Sequence, residues 1–148
     1  KLKEEGHTVV VSNLYPDSIG FEYADYAEVA DVRDKNRNLE IALKYDVDVI
    51  VTDQSDIAVP TVAYVSERMG RPTIGLKMAE LFTNKYMMRR FCEKNGFAYP
   101  AYKRVTSVES ALEVYTAWNK TAIIKPLDSQ SSRGVFVINT ALDIINNL

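Results

Sequence analysis

The chain has 148 residues, 47% of them hydrophobic and 26% charged, with a net charge of −2. That length sets the scale at one ordinary domain or two small ones, and lets a chain bury roughly 70% of its unfolded surface. The balanced, slightly acidic charge argues against nucleic acid or an anionic membrane as the main partner, while leaving room for a local basic pocket. The single cysteine, Cys92, excludes an internal disulfide and suits a reducing, cytoplasmic setting. No apolar run approaches the ~20 residues of a membrane span.

The opening KLKEEGHTVVV reads as the last turn of a helix, stopped by Gly6, entering a strand over 8–12. A domain rarely starts there, and the final ALDIINNL reads as a helix cut short, so a segment of a longer protein is expected. YAEVADV, from residue 26, is a half-polar strand. Residues 36–45 carry Leu39, Ile41, Ala42 and Leu43 at helical intervals. VDVIVTD (47–53) is a continuous β-branched run, predicted as a strand buried on both faces. Residues 57–70 predict a helix with Pro60 in its first turn and Gly70 as its stop. Strands alternating with helices at this spacing predict an α/β fold with a parallel sheet.

The style changes after Pro72, and a domain boundary is expected near 72–80. Residues 76–96 are helical, in one or two pieces, with Thr83 as a candidate N-cap and Gly96 as the end. AYKRV (101–105) predicts a short strand. Thr106 and Glu109 fit a capping box for a helix running to about Trp118, with Leu112, Tyr115 and Trp118 on one face. AIIKP and GVFVI predict a hairpin-like strand pair around a polar loop.

Lys125 sits at the mouth of that loop, at the end of a strand, where a rigid backbone would hold its ammonium as a point charge suited to phosphate. The loop itself, 128–134, carries Ser129, Gln130, Ser131 and Ser132 and closes on Gly134. Backbone N–H groups and hydroxyls in such a loop can face an anion. The plain alternative is an exposed hairpin loop with a solvated lysine. No GxxxxGK[ST] phosphate loop occurs. Lys85 would lie in the first turn of a helix, against the helix dipole, which hints at an anion nearby; an ordinary surface lysine is the alternative. Arg89 and Arg90 read as helix surface. Ser55 and Asp56 follow the most apolar strand-like run, where open α/β sheets bind ligands, or one of them simply caps the next helix. Ser12 has the equivalent place after the first strand. The one histidine, His7, lies at a turn, so no histidine metal cluster is possible within the chain and no Ser-His-Asp triad is read. No carboxylate spacing marks a catalytic pair, and no metal ligand is nominated.

In order and spacing these parts resemble the ATP-grasp superfamily. The residues that carry the likeness are ELFTNKYMMRRFCEKNGFAYPAY (80–102), then AIIKPLDSQSSRGVFVI (122–138), behind DVIVTDQSDIAVPTVAYVSERMGRP. The style is similar to the carbamoyl-phosphate synthase and biotin carboxylase branch. The resemblance implies a Rossmann-like parallel sheet over 1–75, lacking its first strand, followed by a small α+β subdomain over 76–148 that begins the ATP-grasp fold. It implies that Lys85 and Lys125 contact ATP phosphates and that 129–134 closes over them. Gln130, Ser131 and Ser132 depart from the family's glycine-rich habit there. Ser12, Ser55 and Asp56 would face the substrate.

The implied activity is that of an ATP-dependent ligase joining a small carboxylate to an amine through an acylphosphate. Mg²⁺ ligands are expected outside this chain, the chain alone is expected to be inactive, and the relatives imply a homodimer. A nucleotide-binding module without ligase activity, motivated by the serines, and a Rossmann dinucleotide-binding domain are the alternatives.

Overall fold

The structure, a computed structural model, describes residues 1–53, 55–129 and 133–148. The chain divides into two compact units, Lys1–Glu80 and Leu81–Leu148. Six α-helices and two two-stranded sheets, one parallel and one antiparallel, make an α/β fold among the described residues.

In the first unit, β1 (Val10–Asn13) and β2 (Tyr26–Val29) pair in parallel, Val10 opposite Tyr26 and Asn13 opposite Val29. A parallel pair needs a crossover of about a dozen residues; 14–25 provide it, with a 3₁₀ turn at Ile19–Tyr23. Helix α1 (Lys35–Lys44) starts at Asp34, whose Oδ1 accepts from the Arg37 amide at 2.9 Å. It buries Ile41 and Ala42 and packs on α2 (Val59–Arg68), which buries Thr61, Ala63, Val65 and Ser66. Pro60 falls in the first turn of α2 as expected, where its missing N–H has no intrahelical partner to lose. Gly70, at φ +65°, ends α2, and the Arg71 amide then donates back to Ser66 O at 2.8 Å. Helix α3 (Leu76–Thr83) buries Ala79.

The run 47–53 corrects an expectation. It forms no strand among its described residues, and Val49 and Val51 are 68% and 75% exposed. A strand exists only by hydrogen bonding to a neighbour, and the parallel sheet among the described residues is β1 and β2 alone. β-branched composition marks the segment as fit for a sheet without supplying the partner.

In the second unit, α4 (Lys85–Lys94) and α5 (Val108–Trp118) precede β3 (Ala122–Ile124), β4 (Phe136–Ile138) and α6 (Ala141–Asn147). The β3–β4 pair is antiparallel, Ala122 opposite Ile138 and Ile124 opposite Phe136. The core is Ala111 of α5, Ile138 of β4 and Ile144 of α6, with Val105, Val108, Leu112, Tyr115, Ala122 and Ile124 packed around it. The Tyr115 hydroxyl donates to Asn139 O, tying α5 to the end of β4.

Three local expectations shift. Residues 101–105 form no strand; they find no described ladder partner. Asn84, not Thr83, caps α4, its Oδ1 accepting from the amides of Tyr86 (3.1 Å) and Met87 (3.0 Å). Ser107 and Ser110, not Thr106 and Glu109, make the capping box of α5. Each cap moves by one residue, because the neighbouring polar side chain is equally able to accept and the chain path chooses between them.

Candidate functional site

The second unit contains an open cleft of about 900 Å³. Its floor is apolar, from Ala111, Ile124, Ile138 and Ile144, and its walls carry Tyr86, Tyr102, Tyr115, Trp118 and Phe136. Lys85, Arg89, Lys103, Arg104, Lys120 and Lys125 also line it, and among the described residues no aspartate or glutamate does. Charge is distributed to match. Residues 1–80 hold nine basic and fifteen acidic side chains, a net charge of −6; residues 81–148 hold nine and five, a net charge of +4. A cleft lined by one sign of charge on low-dielectric walls focuses the field and concentrates counter-ions.

Two elements bring the expected lysines here. Lys85 opens α4 directly behind its Asn84 cap. Its backbone amide donates to Leu127 O at 3.0 Å. Its Nζ donates to Ser129 O at 2.6 Å and reaches Leu127 O at 3.5 Å. Thus the first turn of α4 is fastened to the start of the serine-rich loop. Lys125 leaves β3 at its C-terminal end, exposed, with no hydrogen bond or ion pair among the described residues.

Gly134 closes the loop for a steric reason. It adopts φ +68°, and a Cβ there would stand 2.9 Å from Pro126 Cγ. Only glycine lets the loop's second end lie against the proline that follows Lys125. Ser129 Oγ donates to Arg133 O at 2.9 Å, drawing the same two ends together. Gln130, Ser131 and Ser132 lie outside the described residues.

The aromatic wall is braced by Glu93. Its carboxylate accepts from the hydroxyls of Tyr102 (2.6 Å) and Tyr99 (3.3 Å). Tyr102 packs edge-on to both Tyr86 and Tyr99, at 5.7 and 5.9 Å between centroids. The bond to Glu93 pushes the Tyr102 hydroxyl up to about 12, and the charge of Glu93 raises Tyr99 as well. Both rings therefore present neutral phenols at physiological pH.

The other expected residues belong to the first unit. Ser12 sits in β1 and its Oγ donates to Asn38 Oδ1 at 2.6 Å; Asn38 in turn donates to the carbonyls of Asp31 and Asp34. That hydroxyl is occupied in holding α1 to the sheet. Ser55 and Asp56 form the turn into α2, their carbonyls accepting from the amides of Ala58 and Val59. Neither caps the helix: the cap position is Ala58, with no side-chain cap.

Sequence reasoning passed over Arg89, reading it as helix surface. It is half-buried and lines the cleft, whereas Arg90 is exposed. Its spacing, four residues after Lys85, puts both on one helix face but does not tell that this face lines the cleft.

No protein-family model matches the chain. Over 141 residues it is 28% identical to the formate-dependent phosphoribosylglycinamide formyltransferase of Flavobacterium psychrophilum, covering 94% of this chain and 36% of that protein. The N5-carboxyaminoimidazole ribonucleotide synthetase of Thermotoga maritima superposes with a TM-score of 0.70 at 26% identity, over 99% of this chain and 38% of that one. The biotin carboxylase domain of Hydrogenobacter thermophilus 2-oxoglutarate carboxylase, solved with MgADP and bicarbonate, shares the fold. Its TM-score is 0.73 at 19% identity, over 99% of this chain and 35% of that one. The chain thus spans 36% of the length of the curated formyltransferase it matches. In sequence and in fold, over nearly its whole length, the chain is similar to enzymes of the ATP-grasp superfamily.

Proposed function

We propose that the cleft binds the phosphates of ATP and that the intact protein is an ATP-dependent ligase. The observation that carries this reading is the convergence of Lys85 and Lys125 on a cleft with aromatic walls, six cations and no acid. A nucleotide has that complementary form: a flat aromatic base and a polyanionic tail. In this reading 1–75 is a Rossmann-like preceding domain and 76–148 the start of the ATP-grasp domain. Lys125 meets phosphate from the strand end, Lys85 from the helix start, and Ser129 and Gly134 frame the loop between them. Gln130, Ser131 and Ser132 would add phosphate contacts. Ser12, Ser55 and Asp56 would contribute to the substrate side.

The reaction begins when a carboxylate oxygen attacks the γ-phosphorus of ATP, releasing ADP and leaving an acylphosphate. An amine then attacks the acyl carbon and expels phosphate. The cleft's share of this is positioning and charge neutralisation, the main contributions to phosphoryl transfer. The formyltransferase relative is formate-dependent by name, which supports a small carboxylate as acceptor. Among the described residues no group of three or more His, Cys, Asp or Glu gathers as a cation site, and the charged side chains that line the cleft are cationic. In this reading the magnesium ligands lie outside this chain. The reading includes a cytoplasmic protein working as a homodimer; none of the described helices is long and apolar enough to cross a membrane.

The test is Lys125→Ala in the intact protein, assayed for ATP-dependent phosphate release with formate, bicarbonate and other small carboxylates paired with amines. KM for ATP should rise at least about tenfold, or turnover should vanish. Unchanged ATP kinetics would sink the assignment. ATP binding without turnover for any pair would favour the plain nucleotide-binding module.

A further inference from the structure

Arg89 is a half-buried residue of the cleft lining, and its guanidinium has no hydrogen bond and no ion pair among the described residues. The arginines of the first unit differ from it. Arg33, Arg37 and Arg71 each meet a carboxylate, and Arg68 lies 5.0 Å over the ring of Tyr64. A guanidinium left without a carboxylate or carbonyl keeps its whole fork of donors unused. A fold that holds one in a cleft free of acids keeps it ready for an anion.

Two features of α4 show what that anion must be like. First, the helix N-terminus cannot hold it with backbone amides. The Lys85 amide is taken by Leu127 O, and those of Tyr86 and Met87 by Asn84. Side chains must do the binding. Second, two of the three N–H donors of Lys85 already point to the carbonyls of Ser129 and Leu127. One donor is left, too few for a chain of phosphates. Arg89 lies one turn further along the same face, with Cβ atoms about 5–6 Å apart, and offers a planar fork of donors.

We infer that Arg89 is a phosphate-binding side chain of the cleft, and that with Lys85 it makes the cleft select nucleoside polyphosphates over monophosphates. A single phosphate is met by Lys125 and the remaining donor of Lys85. A di- or triphosphate continues along the turn of α4 to the guanidinium. The inference rests on the nucleotide reading above and gives that site its basis for discrimination.

The experiment is calorimetric titration of the intact protein with ATP and with AMP, for the wild type, Arg89→Met and Arg89→Lys. Arg89→Met should weaken ATP about tenfold or more while changing AMP less than about twofold. Arg89→Lys should fall between, because it keeps the charge and loses the fork. Its melting temperature, matched to wild type, shows that the fold is intact. Equal weakening of ATP and AMP would mean a packing role and overturn the inference. So would unchanged ATP affinity in either variant, and in that case the nucleotide reading would stand. A wild-type protein that binds neither nucleotide would overturn both.

Discussion

In the first unit, Glu28 is met by Lys44 at 2.6 Å, by Arg37 at 3.4 Å and by the Tyr45 hydroxyl at 2.8 Å. In the second, no described carboxylate comes within ion-pair distance of a lysine or arginine. Every ion pair among the described residues lies in the first unit. The first unit is the more acidic, and its Lys3, Arg33, Lys35, Arg37, Lys44 and Arg71 each meet a carboxylate. The second unit has surplus cations and leaves them in a cleft. Pairing marks charges used for structure; a cation that is gathered, partly buried and unpaired marks a charge available to a ligand.

Paired and unpaired lysines give the largest expected contrast. Lys125→Ala should raise KM for ATP at least about tenfold in the intact protein, and Lys44→Ala, which removes a paired lysine, should leave it unchanged. Equal effects would erase the distinction between the units. Next comes Gly134→Ala. Its Cβ would meet Pro126 and its φ is left-handed, so urea unfolding should show a loss of about 1–3 kcal/mol confined to the second unit. A neutral result would mean that Pro126 moves aside and that the loop base is soft.

Acid should test the paired carboxylates of the first unit. The hydrogen bonds from Lys44 and Tyr45 hold Glu28 below its ordinary value of 4.5. Lys3 and the Val9 amide lower Asp25, and Arg33 lowers Asp31. A carboxylate whose folded value is depressed contributes stability that is complete above its unfolded value and is lost as pH falls through the folded one. Stability of the first unit should therefore decline below about pH 4.5, and Glu28→Gln should flatten that decline. An unchanged slope in the variant would remove Glu28 from the network. The smallest effect is local: Ser107→Ala should cost about 1 kcal/mol and Thr106→Ala much less, since Ser107 holds the cap.

Much of the helical layout was legible. α1 and α2 carry their apolar residues at helical spacing, and α2 has Pro60 and Gly70 at its ends, so they were located to within a residue or two. The strand pairs β1–β2 and β3–β4 were visible as apolar runs. The runs at 47–53 and 101–105 read equally well and form no strand, because pairing depends on a neighbour elsewhere in the chain. In the site, Lys85 and Lys125 were legible from the motifs around them. Arg89 was not, because helical spacing gives the face a side chain shares but not what that face meets.

The chemistry on offer is written in residue order: lysines at a helix start and a strand end, a glycine where a loop must close, aromatic residues at helical intervals. Those follow from residue type and local spacing, which are fixed by covalent order. Only the tertiary structure decided which charges are spent and which are kept. It set Gly134 against Pro126, tied Lys85 to Ser129, turned Arg89 into the cleft and excluded every acid from the lining. Those outcomes depend on distances between residues far apart in the chain, and burial and electrostatic pairing act through distance in space.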